Sequence, residues 1–168
     1  MPTPGQTAIV LPVPAADPIL NAVARSHPHA VRPGISAHVS LLYPWLPVSE
    51  VDDAEVSALA EVVGGTPRSV VQFEEVGREP GFVYLSSPGL TTLTDAVRAR
   101  WPGVAPYGGR FGPNPVAHLS VAMGVTDEEA EQVAATAREH LPLKATLDEV
   151  WVVAHEDGWR VAHTFTLR

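Results

Sequence analysis

The chain contains no cysteine and has few basic side chains. It has 11 Lys and Arg against 19 Asp and Glu in 168 residues, a formal net charge of −8. The lack of cysteine excludes disulfides, thiolate catalysis and zinc sites with sulfur ligands. The acidic excess disfavours an extended nucleic acid groove, because such grooves attract phosphates with Lys and Arg. A short or terminal phosphate ligand is compatible with this charge.

The sequence also lacks an apolar run of the roughly 20 residues that a membrane span requires. Its N-terminus has no basic region, and the apolar stretch 7–13 is short and contains Pro12. The stretch 7–13 therefore indicates a strand rather than a signal peptide. A length of 168 residues fits one compact domain. We expect a cytoplasmic, monomeric protein that forms a single domain over residues 1–168 and does not associate with membranes.

Hydrophobic periodicity and turn residues predict strands and helices that alternate, with hairpins between them. Strands are predicted at residues 8–11, 37–42, 70–76, 82–85, 116–123, 150–154 and 159–167. Helices are predicted over 17–25, from a Ser49 cap to Gly64, over 87–101, and from a Thr126 cap to 141. Asp157-Gly158 is a hairpin turn signal. The pattern favours an α+β or mixed α/β architecture over a doubly wound sheet.

A duplicated pentapeptide is the most informative feature of the sequence. Ala37-His38-Val39-Ser40-Leu41 recurs 80 residues later as Ala117-His118-Leu119-Ser120-Val121. Each copy precedes a predicted turn and an amphipathic helix, which indicates an internal duplication with two similar lobes. Because side chains alternate along a strand, each copy places its His and Ser on one face. If the lobes pack about a pseudo-two-fold axis, the two polar faces meet in a cleft.

Two facing histidines suit in-line attack at phosphorus. A neutral imidazole takes the proton of the attacking hydroxyl, and an imidazolium on the far side protonates the leaving oxygen. An ordinary pKa of about 6.5 allows one histidine to be charged and the other neutral near neutral pH. Ser40 and Ser120 have no Asp that would orient a Ser-His pair, so we interpret them as donors to phosphate oxygens. The sequence does not decide whether His38 or His118 is the base.

These residues resemble the motifs of a known family. Two His-x-Ser motifs, in this order and at this spacing, with Tyr43 and Pro44 after the first, are similar to those of the 2H phosphoesterases, in particular the 2'-5' RNA ligase-like branch. The resemblance covers nearly the whole chain. It implies an α+β, bilobal, pseudo-two-fold fold with antiparallel sheets around a central cleft. It also implies chemistry without a metal or cofactor on 2',3'-cyclic phosphates or 2'-5' linkages of nucleotides or RNA ends, as in RNA processing.

Two further residues are candidates for substrate binding. Tyr43 follows the first motif and is expected to stack on a base, whereas Met123 stands at the equivalent place in the second motif. Arg110 lies in a Gly-rich loop before the second motif, where a guanidinium can bind phosphate in a bidentate manner. Trp45 is interpreted as core or rim.

Two alternatives stay open at this point. One is a non-catalytic module that binds nucleotides or RNA ends. The other is a metallohydrolase that uses His27, His29 and His38, although no Asp or Glu stands at a clear ligand spacing. The remaining histidines, His140, His155 and His163, are expected to be structural or exposed.

Overall fold

The computed structural model describes residues 2–32 and 34–168, and this part of the chain forms nine strands and four α-helices. The strands are β1 (Gln6–Pro12), β2 (His38–Leu42), β3 (Ser69–Phe73), β4 (Val76–Glu79), β5 (Phe82–Leu85), β6 (Leu119–Met123), β7 (Leu143–Leu147), β8 (Glu149–Glu156) and β9 (Gly158–Thr166). The helices are α1 (Asp17–Ser26), α2 (Asp53–Gly64), α3 (Thr91–Arg100) and α4 (Asp127–Arg138).

The strands form antiparallel sheets, as expected. One sheet has the order β4-β5-β6-β2-β1-β8-β9, and β3 pairs with β7 in a second, two-stranded sheet. In the described part of the chain, β2 and β6 pair at one position, Val39 opposite Leu119. The large sheet therefore consists of two halves, β4-β5-β6 and β2-β1-β8-β9, that meet at the two motif strands. This arrangement confirms the α+β fold.

The order of elements shows the internal duplication. The first half runs β1-α1-β2-α2-β3-β4, and the second runs β5-α3-β6-α4-β7-β8. By position in this order, β4 corresponds to β8, β5 to β1 and β6 to β2, so the sheet has the same order outward from its centre as far as β4 and β8. Strand β9 has no counterpart in the first half. The pseudo-two-fold axis passes between β2 and β6.

Some boundaries differ from the predicted ones for local reasons. Helix α2 is capped by Asp52, whose carboxylate accepts a hydrogen bond from the Glu55 amide, rather than by Ser49. The helix predicted from residue 87 begins as a 3-10 turn, and α3 starts at Thr91. The second motif strand starts at Leu119 rather than at 116. The capping box of α4, formed by Thr126 and Glu129, is as predicted.

The two faces of the large sheet differ in what covers them. Helices α1 and α3 pack across the halves, α1 against β6 and α3 against β2. The main core lies on this side and includes Val39, Leu41, Leu119 and Val121 from the motif strands. Trp45 belongs to this core, as expected. None of the described helices is long and apolar enough to cross a membrane.

Candidate active site

The two histidines lie on neighbouring strands at the centre of the sheet. Because Val39 is opposite Leu119 in an antiparallel pair, the same register sets His38 opposite Ser120 and Ser40 opposite His118. The two histidines are then diagonal neighbours, a relation in which Cβ atoms generally lie somewhat less than about 7–8 Å apart. All four side chains are partly exposed, whereas Val39 and Leu119 between them are fully buried. The polar residues thus share the face opposite the main core, as the alternation predicts.

Both motif strands contain a bulge at the same position. In the pairing of β2 with β1, Val10 is opposite Ser40 and Ile9 is opposite Leu42, so Leu41 is the extra residue of β2. In β5, Tyr84 is opposite Ser120 and Val83 is opposite Ala122, which leaves Val121 as the extra residue. A bulge bends and twists a strand locally. Here it shifts the alternation by one, so that Tyr43, five residues after His38, returns to the face of the histidines.

The two imidazoles are held by equivalent hydrogen bonds. His38 Nδ1 lies 2.8 Å from the Ser36 carbonyl oxygen, and His118 Nδ1 lies 2.9 Å from the Val116 carbonyl oxygen. Because a carbonyl oxygen only accepts, each Nδ1 carries the hydrogen and donates it. Each neutral ring therefore presents an unprotonated Nε2, the atom that can accept a proton from a ligand. The backbone two residues upstream thus sets the tautomer of both rings.

The electrostatic environment favours neutral imidazoles. Burial lowers the pKa of His38, and the hydrogen bond to the Ser36 carbonyl partly offsets this effect. Burial also lowers the pKa of His118. Its bond to Val116 opposes the change, and the positive charge of Arg98 reinforces it. Arg98 was not predicted as a site residue, because it lies on α3 and nothing in its neighbouring sequence indicates a contact with the second motif.

The serines of both motifs are available to a ligand. Ser40 and Ser120 are partly exposed. Within residues 2–32 and 34–168, neither hydroxyl makes a hydrogen bond to another protein group. A hydroxyl without a protein partner can donate to a phosphoryl oxygen at no cost in internal hydrogen bonds.

Aromatic rings surround His118. The Tyr107 ring stacks on the imidazole at a centroid distance of 6.1 Å, and the Phe82 and Tyr84 rings contact it edge-on at 5.2 and 5.6 Å. Tyr107 is the one described non-glycine residue with a positive φ, 53°, which is uncommon and often marks a functional constraint. Sequence analysis did not identify these three residues. Phe82 and Tyr84 come from a hairpin distant from the motif, and no local pattern in the loop before the motif indicates that Tyr107 contacts His118.

Tyr43 lies beside the histidine face, as its predicted role requires. Its ring is 6.1 Å from Tyr107 and 5.9 Å from Trp159, and its hydroxyl donates to Gln6 Oε1 at 3.2 Å. Burial raises the pKa of its phenol, against the opposing effect of Arg32. Tyr43 packs on a small apolar cluster of Ala8, Val10 and Val153 that is separate from the main core.

Arg110 contacts a residue outside the two motifs. Its guanidinium is exposed and sits over the Phe111 ring at 5.4 Å. Phe111 in turn contacts Tyr107 at 5.5 Å. These contacts connect Arg110 to His118 through the rings of Phe111 and Tyr107. Its phosphate contact stays a prediction.

His27 and His29 have partners outside the motif face. His27 Nε2 lies 2.9 Å from Gln132 Oε1, and His29 Nε2 lies 2.7 Å from Glu129 Oε2. Among the residues described, no group of three His, Cys, Asp or Glu side chains is placed to hold a metal ion. The structure therefore does not bring His27, His29 and His38 together as a ligand set.

The other three histidines are not part of the two motifs. His140 Nδ1 donates to the Thr136 carbonyl oxygen at 3.1 Å, because a carbonyl oxygen only accepts. His155 contacts the Trp159 ring edge-on at 5.0 Å. His163 is exposed on β9. These contacts agree with structural or exposed roles.

Solved structures share this fold. The TT0787 protein of Thermus thermophilus superposes with a TM-score of 0.68 at 14% sequence identity, over 97% of this chain and 98% of that chain. E. coli LigT complexed with 3'-AMP superposes with a TM-score of 0.57 at 16% identity, over 98% of this chain and 99% of that chain. At these identities the similarity defines the fold alone, the antiparallel α+β fold of LigT-like 2H phosphoesterases.

The sequence also matches a protein family. The model of the 2'-5' RNA ligase superfamily matches residues 11–159, which include both motifs. No curated protein sequence matches the chain significantly. The chain belongs to the 2'-5' RNA ligase superfamily, a 2H phosphoesterase group, as the duplicated His-x-Ser motifs predicted. This membership supports an enzyme of the phosphoesterase or ligase kind.

Proposed function

We propose that this chain is a metal-independent phosphoesterase that acts on 2',3'-cyclic phosphates or 2'-5' linkages of nucleotides or RNA ends. His38 and His118 are the acid-base pair, and Ser40 and Ser120 bind the phosphoryl oxygens. One observation carries the proposal: both imidazoles lie on one sheet face with Nδ1 bound to the backbone, so that two Nε2 atoms are free for proton transfer.

The mechanism needs the two rings in different protonation states. One neutral Nε2 accepts the proton of the attacking water or hydroxyl, while the protonated Nε2 of the other ring donates to the leaving oxygen. The serine hydroxyls donate to the non-bridging oxygens, where negative charge develops. Ligation reverses the cleavage of a linkage, so it uses the two rings in opposite roles, as microscopic reversibility requires.

The substrate we propose is a small nucleotide or an RNA end rather than a long strand. E. coli LigT has been crystallised with 3'-AMP and with ATP, which supports a nucleotide ligand for this fold. We propose that Tyr43 stacks on a base and that Arg110 contacts a phosphate beyond the reacting one. The net charge of −8 opposes binding of a long polyanion. Lengthening an RNA that ends in a cyclic phosphate should therefore leave kcat/KM nearly unchanged.

The test is turnover of a panel of 2',3'-cyclic nucleotides and 2'-5' dinucleotides in the presence of EDTA. His38→Ala and His118→Ala should each lower kcat by about 10²- to 10⁴-fold, the usual contribution of acid-base catalysis. His163→Ala, which removes an exposed histidine from β9, is the matched control and should keep wild-type activity. Full turnover in both motif variants, or loss of activity with EDTA, contradicts the proposal.

A non-catalytic module that binds nucleotides or RNA ends is the second candidate. It is favoured by the lowered pKa of both imidazoles, because an uncharged ring cannot act as the acid. The negative charge of a bound phosphodiester opposes this effect by stabilising an imidazolium. Calorimetric binding of 3'-AMP without turnover of any substrate in the panel selects the binding module.

A further inference from the structure

The backbone before each histidine is hydrogen-bonded to a side chain of the preceding helix, and these two side chains carry opposite charges. On the His38 side, Asp17 Oδ1 of α1 accepts a hydrogen bond from the Ala37 amide at 2.8 Å. On the His118 side, Arg98 Nη1 of α3 donates to the Pro115 carbonyl at 2.7 Å. The two halves therefore share a backbone arrangement but differ in the charge beside each histidine.

Arg98 acts on the residues that orient His118. The Pro115 carbonyl that it binds directly precedes Val116, whose own carbonyl holds His118 Nδ1. Fixing Pro115 thus restricts the peptide that sets the tautomer and direction of the imidazole. Arg98 is partly buried, and its Nε is out of contact with solvent and has no partner among the described residues. Burying part of a guanidinium costs free energy. Because little water screens it there, its positive charge acts more strongly on neighbouring groups.

The groups that face His118 come from four elements. Tyr84 from β5 and Tyr107 from the loop after α3 contact its ring, and burial raises the pKa of the Tyr107 phenol. His38 lies diagonally across on β2, and Arg98 supplies the permanent charge. Burial lowers the pKa of His118, and the Arg98 cation lowers it further. Burial also lowers the pKa of His38, but no such charge acts on it.

We propose that Arg98 is a positioning residue of the site, which fixes the peptide that orients His118 and keeps a permanent cation on the His118 side of the cleft. It makes the two halves of a symmetric site unequal without touching the reacting atoms. This inference rests on the proposed function for its consequence in turnover. Its physical part, the coupling between Arg98 and His118, can be measured without activity.

The test separates charge from hydrogen bonding with three variants. Arg98→Gln keeps a donor for Pro115 and removes the charge, Arg98→Lys keeps the charge, and Arg100→Met removes an exposed cation of the same helix that lies over Trp101. The readout is the pKa of His118 from the titration of its ring protons by NMR, which also shows that each variant is folded.

Removal of the charge in Arg98→Gln should raise the pKa of His118 by about 0.5 or more, the effect expected of one charge at several ångströms in a partly solvated site. The value should stay near wild type in Arg98→Lys and Arg100→Met, and that of His38 should not change. In an active enzyme, the limb of the kcat/KM pH profile that reports His118 should move in the same direction.

An unchanged His118 titration in Arg98→Gln overturns the inference, even if activity is lost, because a purely structural role would lower activity alone. The same is true if Arg98→Lys raises the pKa as much as Arg98→Gln. An absence of turnover in the wild type contradicts the proposed function but leaves the NMR result to decide the coupling.

Discussion

At the scale of single residues, the site depends on what lies behind each imidazole. A backbone carbonyl accepts a hydrogen bond from Nδ1 of His38 and of His118. In other acid-base sites a carboxylate has this role. A neutral carbonyl does not add a negative charge to the ring. Burial is the largest effect on both rings and outweighs the opposing hydrogen bonds, so the pKa of each histidine is lowered.

This has a consequence for stability that can be measured. Because both imidazoles have a lowered pKa in the folded protein, the unfolded chain binds more protons than the folded chain between those values and the ordinary value of 6.5. The free energy of unfolding should therefore decrease as the pH falls through this window. Urea denaturation between about pH 7.5 and pH 5 measures the slope.

A double variant, His38→Gln with His118→Gln, should show a shallower pH dependence than the wild type, since the two groups that cause it are gone. The exposed His163→Gln is the control and should leave the slope unchanged. Equal slopes in the double variant and the wild type would show that the two rings titrate normally.

At the scale of elements, the β4-β5 hairpin shapes the wall beside His118. Gly77 of β4 is opposite Tyr84 of β5, and the Tyr84 ring lies directly over it. A Cβ atom at Gly77 would overlap the outer atoms of this ring. The absence of a side chain at residue 77 thus allows Tyr84 to occupy its place against the imidazole of His118.

Gly77→Ala should therefore displace the Tyr84 ring and lower the free energy of unfolding by roughly 1–3 kcal/mol, the usual cost of overpacking. Chemical denaturation measures the stability, and the change in ring-current shift of His118 protons reports the displacement. Gly103→Ala, at a position with nothing within 4 Å of the new Cβ, should change stability by less than about 0.5 kcal/mol. Adding Tyr84→Ala should remove the penalty of Gly77→Ala; a penalty that persists contradicts this explanation.

The elements also show what sequence patterns can and cannot predict. The motif strands and α4 were predictable because their signals are local: alternation in the pentapeptides, and a capping box at Thr126. Strand β7 was missed, because its five residues are stabilised by pairing with β3, which lies far upstream in the chain. Long-range pairing of this kind leaves little trace in a short segment.

The residues of the site also fall into those that local patterns predict and those that they do not. His38, Ser40, His118 and Ser120 were predictable from a repeat and the period of a strand, and the structure places them together on one face. The surroundings of His118 were not predictable, because Tyr84, Tyr107 and Arg98 reach it through tertiary packing. Single aromatic or basic residues in a hairpin, a loop and a helix are common, and nothing in their neighbouring sequence distinguishes these three.

At the scale of the whole molecule, the two halves are interlocked rather than adjacent. Each motif strand is covered by a helix of the other half, α1 on β6 and α3 on β2. Trp45 of the first half packs edge-on against Trp101 of the second, with ring centroids 5.1 Å apart. One hydrophobic core includes residues from both halves.

Interlocked halves should unfold together, which tests the prediction of a single domain. We expect one transition in urea, with the same midpoint by far-UV circular dichroism and by tryptophan fluorescence. The profile should be independent of protein concentration if the chain is monomeric, as predicted from the sequence. Separate midpoints for the two probes would show that the halves are independent domains.

The pairing of Val39 with Leu119 also bears on the origin of the protein. The site lies on the pseudo-two-fold axis, and each half of the chain supplies one histidine and one serine. A half-length ancestor with a single motif would have needed a second copy of itself to assemble such a site. Gene fusion would then have turned a subunit interface into the interior of one chain and would have allowed the two copies to differ, as Asp17 and Arg98 now do.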